Sequence, residues 1–295
     1  MPRLASQVAI TDNGSMMIEP TNQLSRFNAE SLSNEALQMR QSEPLLAGLI
    51  DPLLKALPDS GKVYAALVTE RLNSSQLDRD HLHSAALSCF SNPLQSAAAN
   101  ADLSAIVQRD SACQSALHAL LFSKGFCALQ GYRVAHKLWQ DGQLNAALLI
   151  QHTISCQLGV DIHPAAVIGC GVMLDHATGV VIGETARVED NVSIMQGVTL
   201  GGTGKESGDR HPKVGRDVLL GPGAKILGNI NIGTGAMVAA AAVVLKDVQP
   251  HSVVAGVPAK WVGRSDSDNP AELMEHYFQV AQEERNKTIS DSAAN

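Results

Sequence analysis

The sequence predicts an α+β protein in which an all-α helical domain precedes a parallel β-helix of hexapeptide repeats. Two patterns carry this prediction. Leucine and alanine recur at helical spacing in the first half of the 295 residues, and aliphatic residues recur at every sixth position in the second half. A helix has a period near 3.6 residues and an ordinary strand a period of about 2. A repeat of six is typical of a solenoid with three short strands in each turn.

The six-residue repeat is interrupted by two insertions: two residues after Gly179 and a polar loop after Leu200. A small or β-branched residue, such as Thr178, follows each aliphatic position by four, which predicts a narrow core. The repeat predicts about five turns and a prism roughly 24 Å long, since hydrogen-bonded strands lie about 4.8 Å apart. The aliphatic positions are Ile162, Ile168, Leu174, Ile182, Val188, Ile194, Leu200, Val214, Leu220, Ile226, Ile232, Val238 and Val244.

The first half of the chain has apolar positions that predict helices over 45–57, 62–72, 78–89, 101–110, 115–140 and 143–158. Changes in composition divide the chain into four parts. We expect a flexible extension over residues 1–30, an α-helical oligomerisation domain over 31–158, a β-helix over 159–262 and a tail over 263–295.

The bulk composition limits the classes of partner. A net charge of −7 and a pI near 5.8 argue against a surface for nucleic acid or for an anionic membrane. No apolar run reaches the roughly 20 residues of a membrane span, and the N-terminal residues lack the apolar core of a secretory signal. The five cysteines are scattered and form no Cys-x-x-Cys pair, which favours reduced thiols in a cytoplasmic protein.

Polar residues that interrupt the repeat are the candidates for a functional site. Asp161 and His176 lie fifteen residues apart, close to one turn of the predicted coil, so we expect them side by side on neighbouring turns. A carboxylate beside an imidazole supports a general base, because it fixes the tautomer and stabilises the imidazolium. An ordinary surface ion pair gives the same spacing, and the spacing alone leaves both interpretations open.

A glycine-rich loop at 201–212 separates two of the repeats. It lacks the first glycine and the Ser or Thr of a phosphate-binding P-loop, and no helix pattern follows it, so that motif is excluded. Arg210 followed by His211 favours a carboxylate ligand, because a guanidinium group pairs with a carboxylate through two hydrogen bonds. A solvated charge at the base of the loop is the alternative.

Histidines of the repeat region raise the question of a zinc site. Three imidazoles that meet at an interface between subunits can hold zinc. The histidines in question show none of the short spacings of an evident ligand set, so we predict no metal. They are His163, His176, His211 and His251.

Several runs of sequence, among them 124–130, 182–186, 198–205 and four others, resemble those of a known family. These four are Gln-Arg-Asp-Ser-Ala at 108–112, Val-Asp-Ile-His-Pro at 160–164, Asp-His-Ala-Thr-Gly at 175–179 and Gly-Asp-Arg-His-Pro at 208–212. In these runs the chain resembles the serine O-acetyltransferases, a family of hexapeptide-repeat acyltransferases. Many acyltransferases share the repeat alone, whereas the last two runs are far more specific. The resemblance covers about residues 102–262.

The resemblance implies a left-handed parallel β-helix and trimers of such prisms, which helical domains join into a dimer of trimers. Active sites would lie in grooves between neighbouring prisms. The implied reaction moves acetyl directly from acetyl-CoA to the hydroxyl of L-serine, the first step of cysteine biosynthesis from serine. Acetyl-CoA is then a co-substrate, and no cofactor is tightly bound.

The family pattern also implies roles for individual residues. His176 is the general base, and Asp161 orients its imidazole. A free amino acid carries an ammonium and a carboxylate group, so one acidic pair and one basic pair suit it chemically. These substrate-binding positions are Asp110 and Asp175 for the ammonium, and Arg210 and His211 for the carboxylate.

The resemblance places CoA along an edge of the prism, in contact with Gly202, Pro222, Ala240 and Lys246. It also implies that L-cysteine inhibits by competing for the serine site. Many relatives end in an isoleucine that binds O-acetylserine sulfhydrylase. Here Ile289 is followed by six residues, so that partner is left open.

Other classes of function stay open beside a serine acetyltransferase. A trimeric zinc hydratase similar to the γ-type carbonic anhydrases has the same repeat, and metal analysis separates the two. A non-catalytic scaffold is disfavoured by the presence of Asp161, His176 and Arg210. Other acetyl acceptors, such as sugars or antibiotics, suit Asp110, Asp175 and Arg210 poorly.

Overall fold

The computed structural model describes residues 28–204 and 207–274, together with the backbone of residues 9–10 and 16–17. These two short segments form strands β1 (Ala9–Ile10) and β2 (Met16–Met17), which pair antiparallel. The rest of the expected N-terminal extension, residues 205 and 206 of the glycine-rich loop, and the expected tail from residue 275 onwards lie outside the described residues.

Helices make up most of residues 29–158, the half predicted to be helical, but the first of them, over 29–42, lies where no helix was predicted. Polar side chains cap several of them; Asn92, for example, accepts a hydrogen bond from the backbone N–H of Leu94. The helices are α1 (Ala29–Ser42), a 3₁₀ turn (Pro44–Leu46), α2 (Ala47–Ala56), α3 (Ser60–Arg71), α4 (Arg79–Phe90), α5 (Pro93–Arg109), α6 (Ala116–Phe122), α7 (Lys124–Gln140) and α8 (Leu144–Leu158).

Two predicted helix boundaries are wrong. The single helix expected over 115–140 is divided into α6 and α7 at Ser123, whose backbone is extended and whose side chain accepts a hydrogen bond from the N–H of Phe126. One residue therefore ends the first helix and caps the second. The helix expected to start at residue 101 starts at Pro93, because Asn92 caps it and proline is favourable in the first position of a helix.

The second half forms a parallel β-helix with three sheets, which confirms the predicted architecture. The first sheet contains β3 (Val160–Ile162), β6 (Val180–Ile182), β9 (Thr199–Gly201), β12 (Lys225–Leu227) and β15 (Val243–Val244). The second contains β4 (Val167–Ile168), β7 (Arg187–Val188), β10 (Lys213–Val214) and β13 (Asn231–Ile232). The third contains β5 (Met173–Asp175), β8 (Ser193–Met195), β11 (Leu219–Leu220), β14 (Met237–Val238), β16 (Ser252–Ala255) and β17 (Lys260–Arg264).

The aliphatic positions of the repeat stack in register and fill the core. Ile162 pairs with Ile182, and Ile182 pairs with Leu200, and all three side chains are buried. Thr178, expected in the core, is exposed instead, and Ala177 and Val180 are buried. The two additional residues of this turn therefore lie between Asp175 and Val180, where the corner bulges outward. The prediction that they enter after Gly179 is wrong.

Helix α7 closes the first turn of the β-helix. Tyr132 donates a hydrogen bond to the carbonyl of Ala166 at 2.5 Å, and Arg133 donates to the carbonyl of Gly169 at 2.7 Å. Arg133 also pairs at 2.7 Å with the fully buried carboxylate of Asp102. Backbone groups at the end of the solenoid are thus satisfied by side chains of the helical half. No helix in the described part of the chain is long and apolar enough to cross a membrane.

Candidate active site

The corner between β5 and β6 carries His176, with 74% of its side chain exposed. In the corresponding corners of later turns, the third residue after the aliphatic core position has a left-handed backbone conformation, as at Gly197 and Gly223. Here both Ala177 (φ 59°) and His176 itself (φ 51°) are left-handed. A left-handed conformation costs a non-glycine residue about 1 kcal/mol or more, so the wider corner holds the imidazole outward under strain.

The imidazole of His176 faces a cleft of about 670 Å³ between the helical half and the first turn of the β-helix. Asp110 and Asp175 line the same cleft. Asp175 is the residue before His176, and its Oδ1 lies 3.9 Å from Nε2 of the imidazole. The structure therefore brings together three of the predicted site residues, although Asp110 lies in the helical half of the sequence.

Asp110 reaches the cleft because two contacts place the ends of α5 and α7. Asp110 follows the last residue of α5 and accepts a hydrogen bond from the N–H of Ala112 at 2.8 Å, in a tight turn. Gly125, in the first turn of α7, packs directly against the backbone of Leu174 in β5. A Cβ atom at residue 125 would lie 2.1 Å from the Leu174 carbonyl oxygen, so only glycine permits this approach.

Asp161 has a different partner in this chain. It lies on β3, and its Oδ1 accepts a hydrogen bond from Gln151 Nε2 of helix α8 at 2.6 Å. Within the described residues no hydrogen bond or ion pair joins Asp161 to His176. The two residues belong to one turn, near its beginning and its end, so the expectation of neighbouring turns is wrong.

Arg210 and His211 lie at a different edge of the prism, where the first sheet gives way to the second. Arg210 donates to Glu184 Oε2 at 2.7 Å and to the carbonyl of Gly208 at 3.0 Å. The N–H of His211 donates to Thr185 Oγ1 at 3.1 Å, and that hydroxyl lies 2.9 Å from the Nδ1 atom of the same imidazole. The end of the long loop is therefore fastened to the corner after β6.

The charges at this second edge are a guanidinium group paired with a carboxylate, beside an imidazole. Glu184 has a lowered pKa, chiefly because Arg210 donates a hydrogen bond to it. Burial lowers the pKa of His211, and the neighbouring Arg210 guanidinium lowers it further. The neutral imidazole of His211 can then act as a hydrogen-bond donor while Arg210 supplies the charge. Sequence reasoning missed Glu184, although its position two residues after Ile182 marks it as a corner residue.

The predicted CoA-binding residues divide between the same two edges. Pro222 and Ala240 follow β11 and β14 by two residues, so they stack below His176 in a single column with Gln196. We call this column the His176 edge. Gly202 and Lys246 follow β9 and β15 and lie with Arg210 on the other edge, the Arg210 edge. One chain thus carries each edge separately, with the first sheet between them.

The histidines considered as zinc ligands occupy different edges of the prism within one chain. Among the described residues there is no group of three or more His, Cys, Asp or Glu side chains that could hold a metal ion. His176 lies on one edge and His211 on the other, and Trp139 packs against the ring of His163. Within the described part of one chain, His176 and His211 are therefore not gathered at one place.

Comparison with known proteins identifies the family. A family model described as "Serine acetyltransferase, N-terminal" matches residues 30–131. The chain is 44% identical over 249 residues to the serine acetyltransferase of Escherichia coli K12, which covers 84% of this chain and 91% of that protein. Residues of the helical half and of the β-helix thus both match this relative.

Solved structures of relatives have the same fold. A serine acetyltransferase in complex with cysteine has a TM-score of 0.81 and 42% identity, covering 85% of this chain and 98% of that one. The Brucella abortus enzyme with coenzyme A has a TM-score of 0.78 and 42% identity, covering 80% and 95%. The soybean enzyme with serine has a TM-score of 0.77 and 45% identity, covering 82% and 100%.

These likenesses confirm the predicted fold class, a helical domain followed by a left-handed parallel β-helix. They extend over both halves of the chain and far exceed a likeness in the six-residue repeat alone. The chain therefore belongs to the serine acetyltransferase family.

Proposed function

We propose that this chain transfers the acetyl group of acetyl-CoA to the hydroxyl of L-serine, giving O-acetyl-L-serine and CoA, as the first step of cysteine biosynthesis from serine. The observation that carries the proposal is the cleft in which Asp110 and Asp175 flank the exposed imidazole of His176. The relatives solved with serine, cysteine and coenzyme A support the same ligands here.

The chemical step needs one base and two substrates held together. The serine hydroxyl oxygen attacks the carbonyl carbon of the thioester while His176 accepts the hydroxyl proton. The C–S bond then breaks, and the CoA thiolate takes that proton from the imidazolium as it leaves. Proton transfer of this kind contributes about 10²–10⁴-fold, and holding both substrates in line contributes much of the rest.

Serine is bound through its two charges. Asp110 and Asp175 hold the ammonium group, because both carboxylates line the cleft beside His176. Arg210 and His211 hold the carboxylate group, and they lie on the other edge of the prism. A closed ring of chains, in which the His176 edge of one chain faces the Arg210 edge of the next, completes the site. This arrangement is the reason for proposing a trimer, or a dimer of trimers.

Acetyl-CoA fits along the groove between the same two edges. Pro222 and Ala240 continue the His176 edge over successive turns, and Gly202 and Lys246 line the Arg210 edge of the adjoining chain. Small residues at Gly202 and Ala240 leave room for an extended chain, and Lys246, which is exposed, supplies a cation for phosphate. We include all four as CoA contacts.

Asp161 remains the proposed partner of the base. Its carboxylate is half-buried on the first sheet and accepts from Gln151, and β3 pairs directly with β6, the strand that the His176 corner enters. Rotation of the exposed imidazole, or the approach of a neighbouring chain, has to bring the two groups together. Inhibition by L-cysteine and a cytoplasmic location are further proposals, and the sulfhydrylase partner stays open.

The assay that tests the proposal measures release of free thiol from acetyl-CoA with and without L-serine. We expect release that requires serine, and formation of O-acetyl-L-serine in equal amount. L-Alanine, which lacks the hydroxyl, serves as the matched control and should give no release. Release that is independent of serine, or that occurs with a sugar acceptor in its place, would refute the proposed substrate.

A further inference from the structure

The end of helix α5 is tied to the β-helix by a partly buried arginine that precedes Asp110. Arg109 NH1 donates to Ser193 Oγ at 3.1 Å and to the carbonyl of Asn191 at 3.5 Å. Ser193 lies on β8, and β8 pairs with β5, the strand that ends at Asp175. One guanidinium group therefore connects the two elements that present Asp110 and Asp175 to the cleft.

Ser193 also connects the end of α5 to a short helix near the C-terminal end of the described chain, beside the cleft. Its side chain is fully buried, and its hydroxyl donates to the carbonyl of Ala271 at 2.9 Å. Ala271 belongs to helix α9 (Pro270–Leu273), and Met274, which ends that helix, lines the cleft. The hydroxyl thus accepts from Arg109 and donates to α9, so it needs both partners to be satisfied.

The arginine is held at an energetic cost. Burial lowers the pKa of the Arg109 guanidinium, although Glu272, Asp217 and Asp102 oppose that shift. None of these carboxylates forms an ion pair with it in the described part of the chain, and the Nε atom of Arg109 is buried without a hydrogen-bond partner. A partly buried charge without an ion pair costs stability, so its use in fixing geometry is the better explanation.

We propose that Arg109 and Ser193 are positioning residues for the serine site, which set the separation of Asp110 from Asp175 and thereby the affinity for serine. This inference rests on the proposed function, because it assumes that these two carboxylates bind the serine ammonium. Neither residue has to touch a reacting atom. Their influence passes through the end of α5 and the wall formed by α9.

Steady-state kinetics of R109K and S193A in the full-length chain test the inference. Lysine keeps the positive charge but loses the planar fork that reaches Ser193 and Asn191 together. We expect each variant to raise KM for serine about 5- to 20-fold, as the loss of a hydrogen-bonded connection of roughly 1–2 kcal/mol implies, with KM for acetyl-CoA within about twofold of wild type.

A double-mutant cycle separates positioning from general destabilisation. If both residues act through one connection, R109K/S193A should raise KM for serine no more than the worse single variant does. R79K, which alters an exposed pair with Glu70 far from the cleft, is the matched control and should leave KM for serine unchanged.

The inference is overturned if folded R109K has the wild-type KM for serine, or if KM rises equally for both substrates. A wild-type protein that releases no thiol with serine would instead refute the proposed function. The two failures are therefore distinguishable.

Discussion

Arg210 donates a hydrogen bond to Glu184 at 2.7 Å, across 26 residues of sequence that include most of the glycine-rich loop. The pair holds the guanidinium group at the Arg210 edge, where the serine carboxylate is expected. Arg210→Ala should therefore raise KM for serine at least ~10-fold, because a charge-assisted pair contributes about 1.5–3 kcal/mol. Glu184→Gln keeps one acceptor and should have a smaller effect. Initial rates at varied serine and acetyl-CoA check both, and an effect on acetyl-CoA alone would contradict the carboxylate role.

Replacement of His176 tests the general base. His176→Asn should lower kcat by at least ~10², because the amide cannot accept the hydroxyl proton, while asparagine still tolerates the left-handed backbone at this corner. The side chain is largely exposed, so the melting temperature should stay near the wild-type value. His152→Asn, an exposed histidine on α8, is the control. Near-normal turnover of His176→Asn would remove this residue as the base.

Asp110 is predicted to act on serine alone. Asp110→Asn retains the hydrogen bond from the N–H of Ala112 but removes the charge that faces the ammonium group. We expect KM for serine to rise about 10-fold or more and KM for acetyl-CoA to stay constant. Asp141→Asn, which alters an exposed pair with Lys137, is the matched control. A uniform loss of kcat without any change in KM for serine would argue against the ammonium role.

Two glycine substitutions test the contact between α7 and β5. Gly125→Ala places a Cβ atom 2.1 Å from the Leu174 carbonyl oxygen, so α7 must move. We expect a loss of about 2 kcal/mol or more in the free energy of unfolding, together with a loss of activity. Gly48→Ala in α2 has nothing within 4 Å of the new atom and should stabilise the protein by up to about 1 kcal/mol. Urea denaturation compares the two, and equal effects would refute this account of the contact.

Acidification should destabilise the joint between the helical half and the β-helix. His136 Nδ1 lies 2.6 Å from the carbonyl of Pro164, and its Nε2 lies 2.8 Å from Gln140 Nε2, so the neutral ring donates to the first and accepts from the second. Burial lowers the pKa of His136 below the ordinary value of 6.5. Below about pH 6.5 the unfolded chain therefore binds more protons than the folded chain, and stability falls as the pH falls.

Urea denaturation at pH 7.5 and at pH 5.5, at one protein concentration, measures this dependence. His136→Gln should reduce the difference in the free energy of unfolding between the two pH values without abolishing it, because burial also lowers the pKa of His163 and of His211. An unchanged difference in this variant would show that His136 does not carry the effect.

The repeat made most of the β-helix predictable, because a core position every six residues leaves few alternatives. It failed at Thr178, where the widened corner moves Ala177 and Val180 into the core. Spacing alone cannot locate an insertion within a corner, since small residues flank it on both sides. The same widened corner contains His176, so the six-residue repeat is broken at the proposed general base.

The site was predictable only as separate residues. No periodicity relates Asp110 in the helical half to Asp175 in the β-helix; the close approach of Gly125 to Leu174 places them in one cleft. The roles of Arg109 and Glu184 could not be predicted from the sequence, because they depend on partners 84 and 26 residues away. Contacts between chains cannot be predicted from a pattern within one chain.

Subunit complementation tests most directly the claim that the His176 edge of one chain and the Arg210 edge of another form the site. His176→Asn and Arg210→Ala chains are mixed in equal amounts, unfolded and refolded together, and serine-dependent thiol release is measured at limiting serine. Random mixing should restore roughly a quarter of wild-type activity, because a site then pairs an intact His176 with an intact Arg210 from the neighbouring chain. Activity no greater than the sum of the two separately refolded variants would contradict a site shared between chains.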